Sequence, residues 1–138
     1  MSIVQTQTTS FKKELYQAVH NLSTDTLKIA LYTGNANLGP DTTVYTTSNE
    51  VVASGYTAGG NTLTGVAISS SGYTAYVNWA NTSWTAALTA RCALVYNATQ
   101  GNRSIAIIDF GADKTSTNTF TITMPANTAT TALIRSSN

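Results

Sequence analysis

Charge is what this chain has least of. Seven Lys and Arg and six Asp and Glu make only 9% of its 138 residues charged, against about a quarter in an ordinary domain. The positive residues, Lys12, Lys13, Lys28, Arg91, Arg103, Lys114 and Arg135, are scattered, and the formal net charge is +1. Nucleic acid is excluded as the main partner, because binding through phosphates requires clustered positive charge. Long hydrophobic runs are also missing. The run Ile105, Ala106, Ile107, Ile108 is among the longest, far short of the roughly 20 residues that cross a bilayer, so a soluble protein with no membrane partner is expected. Cys92 is the only cysteine, which rules out an internal disulfide and leaves the fold to be held by its core. Residues 1–10 contain neither a basic nor an apolar leader region, and synthesis in a reducing cytoplasm is expected.

Residues with catalytic chemistry are equally sparse. His20 is the one histidine, and no motif surrounds it with a partner nucleophile; it reads as a helix C-terminal residue near the last carbonyls. Cys92 shares a strand face with Leu88, Ala90, Leu94 and Tyr96, which places it in the core rather than in a site. No second cysteine is present for zinc. The carboxylates Glu14, Asp25, Asp41, Glu50, Asp109 and Asp113 are not clustered as a calcium loop or a glycosidase pair would require. Asp109 sits inside an apolar strand, where burial is costly unless it is paired; Arg91 on the preceding strand, or a capped turn at Gly111, would satisfy it. The glycines at 55, 59 and 60 match neither a phosphate loop nor a dinucleotide fingerprint and mark a turn. No enzymatic activity, cofactor or metal is expected.

Hydroxyl and amide groups take the place of charge: 26 Thr, 13 Ser and 12 Asn, with nine Gly. Thr suits a pleated surface, while Ser, Asn and Gly suit turns, so the composition leans to an all-β domain. Phe11, Leu15, Val19 and Leu22 recur at helical spacing, with Ser10 as N-cap and residues 21–25 as the stop, predicting one helix near 11–21. The period then falls to two at Leu27, Ile29 and Leu31. Strands are predicted over 63–69 and 73–79, with Ser70, Ser71 and Gly72 turning between them. A hairpin over 88–96 and 103–110 is apolar at most positions and belongs at the centre of a sheet. Phe120, Ile122 and Met124 alternate, and residues 132–134 give a last strand. Residues 44–52 are weak as strand. These elements predict a mainly β fold, an antiparallel β-sandwich or jelly-roll-like barrel with one N-terminal α-helix, as a single domain over 11–138. Residues 1–10 read as a flexible arm. Tyr73, Tyr76, Trp79 and Trp84 raise the alternative of a carbohydrate-binding sandwich, but alternation puts Tyr73 and Trp79 on the face of Val77, which favours core.

Several segments together resemble a family of small virion structural proteins of tailed bacteriophages. These are Lys13-Glu-Leu-Tyr-Gln-Ala-Val-His20, Asp25-Thr-Leu-Lys-Ile-Ala-Leu-Tyr-Thr33, Asn49-Glu50, Gly55-Tyr-Thr-Ala-Gly-Gly60, Leu88-Thr-Ala-Arg91, Ala93-Leu-Val-Tyr-Asn97 and Ile107-Ile-Asp-Phe-Gly111. Each piece is short; their order and spacing carry the resemblance over residues 11–135. Where this chain has Cys92, the family pattern leads one to expect a small residue such as Gly. The resemblance implies a non-enzymatic virion protein, with a capsid decoration or cement protein as the leading expectation. Its partners would be the major capsid protein or other virion proteins, and it would act as a homo-oligomer, with three copies favoured. A tail, neck or head-fibre component is the alternative. The neutral arm supplies the candidate partner contacts, Ser2, Ile3, Val4 and Gln5, which would order on a neighbour by adding a strand.

Overall fold

The computed structural model describes residues 2–137, in the order β1 (Ser2–Ile3), β2 (Thr6–Gln7), α1 (Thr9–Tyr16), β3 (Leu27–Tyr32), β4 (Asn37–Leu38), β5 (Asn61–Thr62), β6 (Ala67–Ser71), β7 (Thr74–Asn78), β8 (Thr82–Trp84), β9 (Thr89–Asn97), β10 (Arg103–Thr115), β11 (Phe120–Ile122) and β12 (Ile134–Ser136). They form a β-sandwich with one short helix. One layer is a five-stranded antiparallel sheet ordered β2-β10-β9-β3-β5. The other is built from the three-stranded sheet β12-β7-β6 and the pair β11-β8, while β1 and β4 make a small parallel pair.

Strand β9 lies at the centre of the large sheet, between β10 and β3, as its apolar sequence predicts. Side chains alternate across a strand, yet Cys92, Ala93, Leu94, Val95 and Tyr96 are all buried. The reason is that both faces of this sheet are covered. On one face Ala93 and Val95 stand beside Leu31 and Ile29 in register and meet Val77, Trp79, Trp84, Phe120 and Ile134 of the second layer. On the other, Cys92 and Leu94 stand beside Tyr32 and Ala30 and are covered by Ala36, Leu38 and the half-buried Ile3 and Tyr45.

Two irregularities in β10 shape this arrangement. The register slips between Ser104 and Ala106, so that Ile105 is an inserted residue and both Ile105 and Ala106 pack into the first core. A larger bulge separates Asp109 from Lys114 in the pairing with β9. Gly111 turns the chain there at φ +82, and its N–H donates to Asp109 Oδ1 at 2.9 Å. Arg91 Nε donates to the same oxygen at 3.2 Å, so the ion pair and the capped turn are both present.

The N-terminus differs from its expectation. Residues 2–10 are not a flexible arm outside the domain. Ile3 pairs with Leu38, and Thr6 and Gln7 pair with Ile107 and Ala106 as the edge strand of the large sheet. Thr8 is wholly buried; its N–H donates to the Ile105 carbonyl at 2.9 Å. The short alternation here was too brief to read as strand, because a two-residue strand carries no period. The helix is also shorter and earlier than predicted. Its N-cap is Thr8, whose hydroxyl accepts from Phe11 N–H at 3.3 Å, not Ser10. It ends because Ala18 takes a left-handed conformation at φ 58, and the N–H groups of Val19 and Ala18 return to the carbonyls of Glu14 and Leu15, a Schellman closure. Deleting residues 2–7 is expected to lower unfolding stability by about 2 kcal/mol or more, through lost strand pairing and loss of the Ile3 contact. Urea denaturation measures this, and an unchanged midpoint would restore the free arm.

Candidate interaction surface

The most organised polar cluster lies in the stretch that reads weakly in sequence. Glu50 is only 7% exposed and bridges to Tyr32 at the end of β3. The Tyr45 hydroxyl donates to its Oε1 at 2.5 Å, the Tyr56 hydroxyl to its Oε2 at 2.6 Å and the Gly59 N–H to Oε2 at 2.8 Å. Tyr56 also accepts from Leu31 N–H at 2.9 Å, while the Tyr96 hydroxyl donates to the Gly59 carbonyl and that of Tyr32 to the Thr46 carbonyl, both at 2.6 Å. Burial, and then the neighbouring Glu50, pushes the Tyr96 phenol up to about 12 and raises Tyr32, Tyr45 and Tyr56 further, so all four remain donors. Gly60 completes the fit: at φ +79, a Cβ there would stand 1.8 Å from the Ile29 carbonyl oxygen. These groups spend their hydrogen bonds on one another and on the backbone. The cluster anchors the loop over 44–60 to β3 and β9. A signal was present in the sequence, a lone carboxylate between Tyr45 and Tyr56 beside a glycine-rich turn, but charge-cluster reasoning passes over an isolated acid. Glu50→Gln turns one acceptor toward donors as a second donor and is expected to cost about 2 kcal/mol. Chemical denaturation of the variant checks this, and a stability equal to wild type would contradict the anchoring role.

His20 does not sit at the last helical carbonyls, since the helix ends at Tyr16. Asn97 Oδ1 accepts from the N–H groups of Thr99 and Gln100, which turns its Nδ2 toward Asp25 Oδ2 at 2.8 Å and His20 Nδ1 at 2.9 Å. In this network His20 Nδ1 is therefore the acceptor, and Nε2–H donates to Glu14 Oε1 at 2.8 Å. Arg103 Nη1 donates to the other oxygen of Glu14 at 3.1 Å. Both ring nitrogens are thus engaged in holding the helix end against β9. Burial raises Asp25, but the hydrogen bonds from the Asn97 side chain and the Asn21 backbone outweigh it, and its carboxyl lies below the usual 3.8. Cys92 is fully buried, and burial pushes its thiol up to about 12, as expected of a packed cysteine. Among the described residues no three His, Cys, Asp or Glu side chains are grouped to hold a metal ion. Among the described residues no helix is long and apolar enough to cross a membrane.

The four residues singled out as partner contacts are held by the domain itself. Ser2 and Ile3 lie in β1, Val4 N–H donates to the Leu38 carbonyl at 3.0 Å, and Gln5 Oε1 accepts from Asp109 N–H at 3.0 Å. Ile3 is half-buried, while Ser2, Val4 and Gln5 keep exposed faces. The aromatic group divides. Trp79 and Trp84 are buried, but Tyr73 is 89% exposed and does not share their core. The turn between β6 and β7 falls on Gly72-Tyr73, one position later than the sequence suggests, which carries Tyr73 out to the tip.

The remaining surface has a marked asymmetry. No charged side chain occurs between Glu50 and Arg91, and this neutral stretch builds β5, β6, β7 and β8. Its exposed apolar residues include Val52, Val66, Ile68 and Tyr73. Leu15, Leu22, Ile68, Val77 and Ile134 line an apolar groove between the helix and the three-stranded sheet. Neutral surface with exposed aromatic and aliphatic groups is the composition found at the centre of protein interfaces. Comparison with family models, curated proteins and solved structures finds no match to this chain.

Proposed function

We propose that this chain is a non-enzymatic structural protein of a tailed-bacteriophage virion, a capsid decoration or cement protein that binds the outer shell and stabilises it. The observation that carries this reading is the neutral, partly apolar surface contributed between Glu50 and Arg91. Joining protein to protein over large areas favours surfaces without charge, whose burial would be costly. The sequence resemblance supplies the virion context, and the engagement of His20 and Cys92 within the fold favours adhesion over catalysis. The partner in this reading is the major capsid protein. A tail, neck or head-fibre component uses the same physical properties and differs in copy number. A carbohydrate-binding module is disfavoured, because a sugar platform needs coplanar exposed rings and both tryptophans are buried.

Quantitative mass spectrometry of purified particles tests the proposal. About one copy per major capsid subunit is expected, and particles stripped of the protein should lose their DNA at lower temperature. A ratio of a few per cent or less assigns the chain to the neck or tail, and absence from the particle overturns the virion reading.

A further inference from the structure

The geometry points to an interface between two copies of this chain, formed by antiparallel pairing of strand β6 with itself across a two-fold axis at Ser69. This rests on the sheet edge alone and not on the virion reading. Strand β6 is the outer strand of β12-β7-β6, and all five of its residues, Ala67, Ile68, Ser69, Ser70 and Ser71, are exposed. Ser71 and Thr74 close the two-residue turn Gly72-Tyr73, in which Gly72 has φ +58. In such a hairpin the closing pair is hydrogen-bonded and the bonding alternates from there. Ser69 with Tyr76, and Ala67 with Asn78, are then the bonded pairs. The N–H and C=O groups of Ile68 and Ser70 point away from β7, and no other described segment bonds to them.

Edges of this kind are normally blunted by lysine, proline, a bulge or a covering segment. Strand β6 has none of these. The opposite edge of the same sheet is treated differently: the Arg135 carbonyl of β12 accepts from Gln7 Nε2 at 2.9 Å, and Arg135 itself puts a charge there. The open edge is therefore β6, and its own sequence is complementary to it. Placing Ser69 opposite Ser69 of the second copy sets Ile68 opposite Ser70 of that copy, and the reverse. Both become hydrogen-bonded pairs, and every outward N–H and C=O of Ile68 and Ser70 is satisfied in both copies. The side chains at this contact are small and uncharged, so the two backbones approach without like-charge repulsion. Ile68 lies on the groove side of the sheet, and the pairing brings the two Ile68 side chains to diagonal positions about 7–8 Å apart, within reach of each other. An isologous contact of this kind joins two copies, where the family resemblance implies three.

Light scattering and sedimentation of the full chain test the interface. The wild type is expected to show twice the 14.5 kDa chain mass at high concentration and to dissociate on dilution. Ser70→Pro removes an outward N–H without touching a bond to β7 and is expected to give a folded monomer by circular dichroism. Ser69→Cys is expected to form a disulfide-linked dimer on mild oxidation, because the residue faces its own copy, whereas Ser71→Cys remains unlinked; buried Cys92 takes no part. Should Ser70→Pro fail to fold, the cysteine pair decides the matter alone. A wild type that is monomeric at every concentration overturns the interface. So does an oligomer that persists in folded Ser70→Pro, or a Ser69→Cys chain that links no more than Ser71→Cys.

Discussion

The structure depends on burying both faces of strand β9. A strand apolar on one face needs one covering layer; Cys92 to Tyr96 need two. The second layer of the sandwich covers Ala93 and Val95 in the ordinary way. The face carrying Cys92, Leu94 and Tyr96 has only the small β1-β4 pair over it, and loops must cover the rest. Most of what is irregular in this chain follows from that need. The parallel pair of β1 with β4 brings Ile3 and Leu38 over this face, and the stretch over 44–60 brings Tyr45. Such segments have little periodic hydrogen bonding of their own, so side chains fix them. Glu50, with its two tyrosines and the Gly59 N–H, is the principal fixing point.

The scarcity of charge is consistent with this economy. Of the few ionisable groups, Glu14 joins His20 and Arg103, Asp25 holds Asn97, Asp109 holds Arg91 and the Gly111 turn, and Glu50 gathers the tyrosines. Glu14, Asp25 and Asp109 tie together segments distant in sequence, Glu50 closes the local stretch from Tyr45 to Gly59, and each is met by hydrogen bonds that offset desolvation. Threonine and serine do the remaining polar work: Thr8 caps the helix, and the Ser104 hydroxyl donates to the Thr42 carbonyl at 2.7 Å. The stretch between Glu50 and Arg91 holds no charged residue at all and presents a neutral exterior. That exterior suits adhesion to another protein surface.

The regular part of the fold was legible in the sequence. The alternation of Leu27, Ile29 and Leu31, the apolar hairpin around residues 97–102 and the alternation of Phe120 and Ile122 all became strands, and Asp109 found Arg91 as its partner. What was not legible lies where period gives no signal. Two-residue strands such as Thr6–Gln7 are defined by the neighbour they pair with rather than by their own sequence. The stripe of Phe11, Leu15, Val19 and Leu22 suggested a longer helix, yet Ala18 adopts a left-handed conformation that its residue type does not announce. The alternation puts Val77 and Trp79 inside as expected but does not reach Tyr73, which lies in the turn rather than on β7 and so is carried out to the tip. For the candidate surface, the lack of charge was visible, but the open edge of β6 required knowing which strand lies outermost.

The central claim is that the large sheet is enclosed on both sides and that the N-terminal strand and the 44–60 loop belong to that enclosure. Native-state hydrogen exchange resolved by residue tests it most directly. Amides of β9, of Leu31, of Thr8 and of Val51, whose N–H donates to the Leu31 carbonyl at 3.0 Å, should all exchange only through global unfolding and so share the slowest rate. Fast exchange at Thr8 and Val51 while β9 remains protected would contradict the account, since it would mean that the second face is covered only loosely and the strand is stable without it.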